Sequence, residues 1–104
     1  MKLTELSRPT DVLQQLIVEF PLLPAGHVAI NSIYPEQIEL SFHNDFGDFE
    51  AWRAALDIAP ATVRHHLMSG DTTLVLRGTA VRDGITVELV AYGPNQALLV
   101  GAVA

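Results

Sequence analysis

Asp83-Gly84 sits between two runs of alternating apolar and polar residues, and no other feature of the chain restricts its fold as much. A two-residue Asp-Gly loop tolerates the left-handed backbone a tight hairpin needs, and its twist matches that of the strands it joins. The register follows. Ala80 falls opposite Val87, Gly78 opposite Leu89 and Leu76 opposite Ala91, which gives one apolar face. On the other face Thr79 pairs with Glu88, Arg77 with Val90 and Val75 with Tyr92. Gly70-Asp71 can close a preceding hairpin in the same manner. That places His65 opposite Leu76 on the core face, as a hydrogen-bonded core histidine, and puts Arg64 and His66 on the other face beside Arg77 and Val75. Beyond Gly93-Pro94-Asn95, residues 97–103 are apolar on both faces and predict a further strand.

The first half reads as helix, hairpin, helix. Ser7, Pro9 and Thr10 are cap and first-turn residues, and Val12, Leu13, Leu16, Ile17 and Phe20 recur at helical spacing until Pro21 and Pro24 end the run. Val28 and Ile30, a turn at Pro35-Glu36, then Ile38, Leu40 and Phe42 alternating with Glu39, Ser41 and His43 predict a hairpin with one apolar face. From Asp45 or Asp48 to Asp57, acids favour a helix N-terminus, and Phe46, Phe49, Trp52 and Leu56 share one helical face. The expected fold is a single α+β domain, residues 1–104. Two helices pack on one face of an antiparallel sheet in the order α-ββ-α-βββ(β). A chain of 104 residues supports one such core.

Charge narrows the partners. Twelve acidic residues oppose six basic ones, a net charge of −6. The first sixty residues hold all of the surplus, and the remainder is balanced. Nucleic acid and anionic membranes both demand cations, so the acidity argues against either. The absence of cysteine excludes a disulfide scaffold, a Cys-ligated zinc or iron–sulfur centre and a thiol nucleophile. The N-terminal residues show no secretory pattern, and the uncharged stretch from Leu89 to Ala104 is broken by Gly93-Pro94-Asn95, short of a membrane span. A cytoplasmic location is the expectation.

The sites that the motifs suggest are weak. Thr62-Val63-Arg64-x-His66-Leu67 resembles the recognition-helix stretch of LuxR-type helix-turn-helix proteins. That resemblance implies a DNA-binding alternative, with residues 48–70 as helix-turn-helix, 73–92 as a wing, and Arg64 and His65 at the major groove. Against it, Asp57 stands where the turn usually has Gly, Arg53 where the preceding helix has a small residue, and acids surround the reading head. Residues 60–69 alternate as well as they coil, so helix and strand both stay open. His65-His66 and His43-x-Asp45 suggest a metal or small-ligand site, but adjacent strand residues face apart and cannot share an ion. Glu39, Ser41 and His43 share a strand face on which a hydrolytic centre can be drawn, without a nucleophile elbow or oxyanion loop to support it. Phosphate-loop and dinucleotide patterns are absent. No cofactor is implied.

The outer sheet face remains. It gathers Arg64, His66, Arg77, Thr79, Glu88 and Tyr92 as a candidate binding face, while Val75, Val90, Leu99 and Val103 are candidate contacts in a homodimer. Phe49-x-x-Trp52-Arg53-x-x-Leu56 and Gly84-x-x-Val87-Glu88-Leu89-x-x-Tyr92-x-Pro94 are similar to a group of small uncharacterised actinobacterial proteins. The resemblance covers about half of the chain and implies no activity. The functional expectation is a small non-enzymatic interaction or accessory domain that self-associates, with a heterologous protein as a further partner.

Overall fold

The computed structural model describes residues 2–95. A short 3-10 turn, Leu3–Leu6, runs directly into helix α1, Ser7–Glu19. Ser7 therefore lies inside the helix rather than capping it, and the first turn is tied by Thr10 Oγ1, which donates to the Leu6 carbonyl at 2.7 Å. Pro9 is buried in that first turn, where a missing N–H leaves no hydrogen bond unmade. Val12 and Leu16 form the buried stripe, and the helix stops at Phe20, before Pro21.

Strands β1, His27–Asn31, and β2, Tyr34–His43, pair antiparallel. Their turn is not at Pro35-Glu36. It closes at Asn31–Tyr34, where the Asn31 side chain accepts from the Ile33 amide at 2.8 Å. Pro35 lies instead in an irregularity of the ladder: between the pairs Ala29–Glu39 and Asn31–Tyr34, β2 places residues 35–38 against Ile30 alone. A proline with no amide to contribute belongs at such a bulge.

Helix α2, Phe46–Ala55, begins where the Asp45 carboxylate accepts from the Asp48 amide at 3.0 Å. It ends in paired bonds from the Ile58 amide to the Arg53 carbonyl and from the Asp57 amide to the Ala54 carbonyl, with Asp57 left-handed at φ 57°. Arg53 adds a bond from its Nη1 to the Ile58 carbonyl at 2.7 Å. This closed ending buries Ile58 in the core and sends the chain away from any helix-turn-helix geometry. Residues Pro60–Thr62 make one 3-10 turn, and Arg64–Met68 form strand β3. The recognition helix of the DNA-binding alternative is absent.

Strands β4, Thr73–Arg82, and β5, Ile85–Pro94, complete a sheet ordered β1-β2-β5-β4-β3. The register set by Asp83-Gly84 is the one expected, Ala80–Val87, Gly78–Leu89 and Leu76–Ala91 included, with both turn residues at positive φ. The β3–β4 pairing also follows expectation: Arg64–Arg77, His65–Leu76 and His66–Val75. Residues 69–72 make that loop, and Ser69, Gly70 and Asp71 all have positive φ.

The sheet is mixed rather than antiparallel throughout, because β2 and β5 are parallel, Ile38 pairing with Val87 and Leu40 with Leu89. The cause is topological. A helix laid back across the sheet after β2 returns the next strand, β3, in the direction of β2, and two hairpins later β5 has that direction again. Both helices cover the same sheet face. Their Val12, Leu16, Phe49 and Trp52 join Ile38, Leu40, Phe42, Ile85, Val87, Leu89 and Ala91 in one core cluster. Gly93 is a consequence of this packing, since a Cβ there would stand 2.7 Å from the Phe46 ring. The predicted strand at residues 97–103 lies outside the described residues.

Candidate interaction surface

The face of the sheet away from the helices brings the candidate binding residues together in rows set by the register. One row runs His66, Val75, Tyr92, His43; the next Arg64, Arg77, Val90, Ser41; the third Thr79, Glu88, Glu39. Arg64, His66 and Thr79 are exposed, while Arg77, Glu88 and Tyr92 are half-buried. Arg77 Nη1 donates to Glu88 Oε1 at 2.8 Å, one strand across and diagonal in register. The pair is partly shielded from water, with side-chain exposures of 32% and 17%, and is worth on the order of 1 kcal/mol. Glu88 thereby offsets the charge of Arg77 beside its cross-strand neighbour Arg64. The His43 and Tyr92 rings stack, with centroids 5.0 Å apart and planes at 10°.

Two of the proposed dimer contacts require correction. Val75 and Val90 are both 0% exposed, so neither offers area to a second copy. Each sits inside a row of the sheet, Val75 between His66 and Tyr92 and Val90 between Arg77 and Ser41. Leu99 and Val103, the other two, lie outside the described residues. His65 also departs from expectation: it is exposed, not a core histidine, because the helices do not reach β3.

Chemistry of other kinds finds little support on this face. Ser41 is buried and His43 is exposed against Tyr92, so a nucleophile and base poised together in a cleft are not what Glu39, Ser41 and His43 build. Among the described residues, no three His, Asp or Glu side chains converge as a metal site. The groups with displaced pKa values lie elsewhere. The Arg82 guanidinium bonded to Glu19 holds that carboxyl below its usual value, as Arg53 does for Glu50. Desolvation, followed by the nearby Asp45 charge, raises Asp48 at the start of α2. These are ion pairs and a helix cap, not a catalytic constellation.

The feature that sequence reasoning missed is the β3 edge. All five residues of β3 are exposed, and its ladder to β4 is continuous from Arg64 to Met68. Leu67 and Met68 are each 44% exposed. The opposite edge, β1, is interrupted by its bulge. The signal was present, since β3 comes first in a three-strand meander and so has one neighbour unless the chain returns to it. Comparison with family models, curated proteins and solved structures finds no match to this chain. Among the described residues, no helix is long and apolar enough to cross a membrane.

Proposed function

We propose that the chain is a non-enzymatic interaction domain of the cytoplasm that self-associates, most simply as a homodimer, and serves as an accessory partner to another protein. The observation that carries this reading is the β3 edge, open among the described residues: a regular, unbulged strand whose five residues are all exposed, Leu67 and Met68 included. Unpaired edge amides and carbonyls are templates for another strand, and such edges are normally blunted by a bulge, a proline or lysine. β3 has neither a bulge nor Pro or Lys, although Arg64 places a cation at its start. Antiparallel pairing of two β3 strands would extend the sheet across both copies. An interface this short falls below the standard ~800 Å² per partner, so the affinity belongs in the micromolar range.

Sedimentation velocity from about 5 to 500 µM tests the reading, a window that brackets such affinities. The expected result is a concentration-dependent shift from monomer to dimer. Leu67→Lys should return the protein to monomer, while His27→Lys on the β1 edge should leave the shift in place. A monomer across the whole range overturns the proposal.

A further inference from the structure

On the helix side of the molecule, well away from β3, the end of α1, the Pro21–Gly26 loop, β1, β2 and α2 enclose an apolar pocket of about 330 Å³. Leu13, Ile17, Phe20, Leu23, Val28 and Trp52 are among its walls, and no lining residue is charged. The walls are braced. Trp52 Nε1 donates to the Pro24 carbonyl at 2.8 Å, the Phe20 and Trp52 rings meet edge to face at 6.4 Å, and Pro21 and Pro24 stiffen the loop. Side chains held in this way leave a preformed hollow rather than one that collapses.

We infer that this pocket is a binding site for a neutral, apolar small molecule. Size sets the upper limit: a cavity of roughly 150 Å³ accepts benzene, so this larger pocket, open on one side, has room for roughly two to three aromatic rings or a medium aliphatic chain. Charge sets the class. The indole N–H is already used by Pro24, and the lining supplies no counter-ion to a cation or an anion. A carboxylate head would also meet a chain of net charge −6 whose acidic surplus lies in the first sixty residues, the segment that builds this pocket. The occupant therefore binds chiefly by apolar burial. The site is independent of self-association through β3.

Trp52, the single tryptophan, is a built-in reporter. The probe is N-phenyl-1-naphthylamine, a neutral dye that fluoresces in apolar surroundings and accepts energy from tryptophan. The expected result is saturable fluorescence excited through Trp52, with one dye per chain. Ala25→Phe, which fills the pocket from its exposed wall, should weaken binding by about tenfold or more with an unchanged circular dichroism spectrum. Ile17→Asn removes apolar wall at a rim position 54% exposed and should weaken binding by about threefold or more through lost apolar contact. Ile17→Asn decides the matter if Ala25→Phe disturbs the fold. Displacement by 1-decanol should be about tenfold more effective than by decanoate. Absence of a saturable signal, wild-type affinity in either folded variant, or equal competition by decanoate would overturn the assignment.

Discussion

Strands β5 and β3 belong to one antiparallel meander, run in the same direction and share the same kind of register, yet they are opposite in environment. In β5 the helix-facing Ile85, Val87, Leu89 and Ala91 are at most 1% exposed. In β3 all five residues are exposed. The difference is one of coverage. A helix is about 10 Å wide and strands are about 4.8 Å apart, so two helices side by side cover about four strands. A five-stranded sheet under two helices leaves one strand over, and here it is β3. Period-two patterning tells how a strand pairs; it does not tell what lies on top.

The largest test of this contrast is a pair of leucine truncations. Leu89→Ala should cost about 2–5 kcal/mol, because it leaves a cavity under both helices. Leu67→Ala removes a side chain already 44% exposed and should cost about 0.5 kcal/mol or less in the monomer. Urea unfolding at low protein concentration measures both. Equal losses would mean that β3 is covered in solution after all. If Leu67→Ala becomes more damaging as concentration rises, the covering element is a second copy.

Two glycines sharpen the comparison at a smaller scale. Gly93, near the end of β5, would place a Cβ 2.7 Å from the Phe46 ring, and that ring is packed on the core. Gly93→Ala should therefore cost about 1–3 kcal/mol through overpacking. Gly70, in the loop after β3, has nothing within 4 Å of a built Cβ, so only its φ of +65° resists substitution. Gly70→Ala should cost about 1 kcal/mol, the left-handed penalty alone. Thermal unfolding of both variants checks the order. A reversal would place the steric constraint at the loop and not beneath α2.

The same contrast explains what was legible in the sequence. Asp83-Gly84 for β4–β5 and Gly70-Asp71 for β3–β4 together carried the meander register residue for residue. That register put Arg64, His66, Arg77, Thr79, Glu88 and Tyr92 on one face and brought Arg77 near Glu88. The helical stripes of Val12 and Leu16, and of Phe49 and Trp52, were equally plain. Features set by non-local geometry were not. The parallel β2–β5 pair depends on where α2 crosses, and Pro35 signals a bulge as readily as a turn. The exposure of His65 and the burial of Val75 and Val90 depend on neighbours that alternation cannot rank. The open edge and the Trp52 pocket arise only once all the elements are assembled.

The smallest expected effect concerns the end of β4 that lies under α1. Arg82 reaches across to Glu19 with two hydrogen bonds and lies over the Phe20 ring, 5.4 Å from its centroid. The bond from Arg82 holds the Glu19 pKa below 4.5, its ordinary value. A carboxyl whose pKa is lower in the folded than in the unfolded chain binds protons more readily when unfolded. Its contribution is therefore complete above pH 4.5 and disappears as pH falls through the lowered, folded-state value. Because the pair is solvent-exposed, salt should weaken it as well. Glu19→Gln removes this one titration, so the variant should lose less melting temperature than the parent protein on acidification from above pH 4.5, and the difference should shrink in high salt. Identical acid profiles for the two proteins would show that the covered end is held by the core beneath Phe20 and not by the ion pair above it.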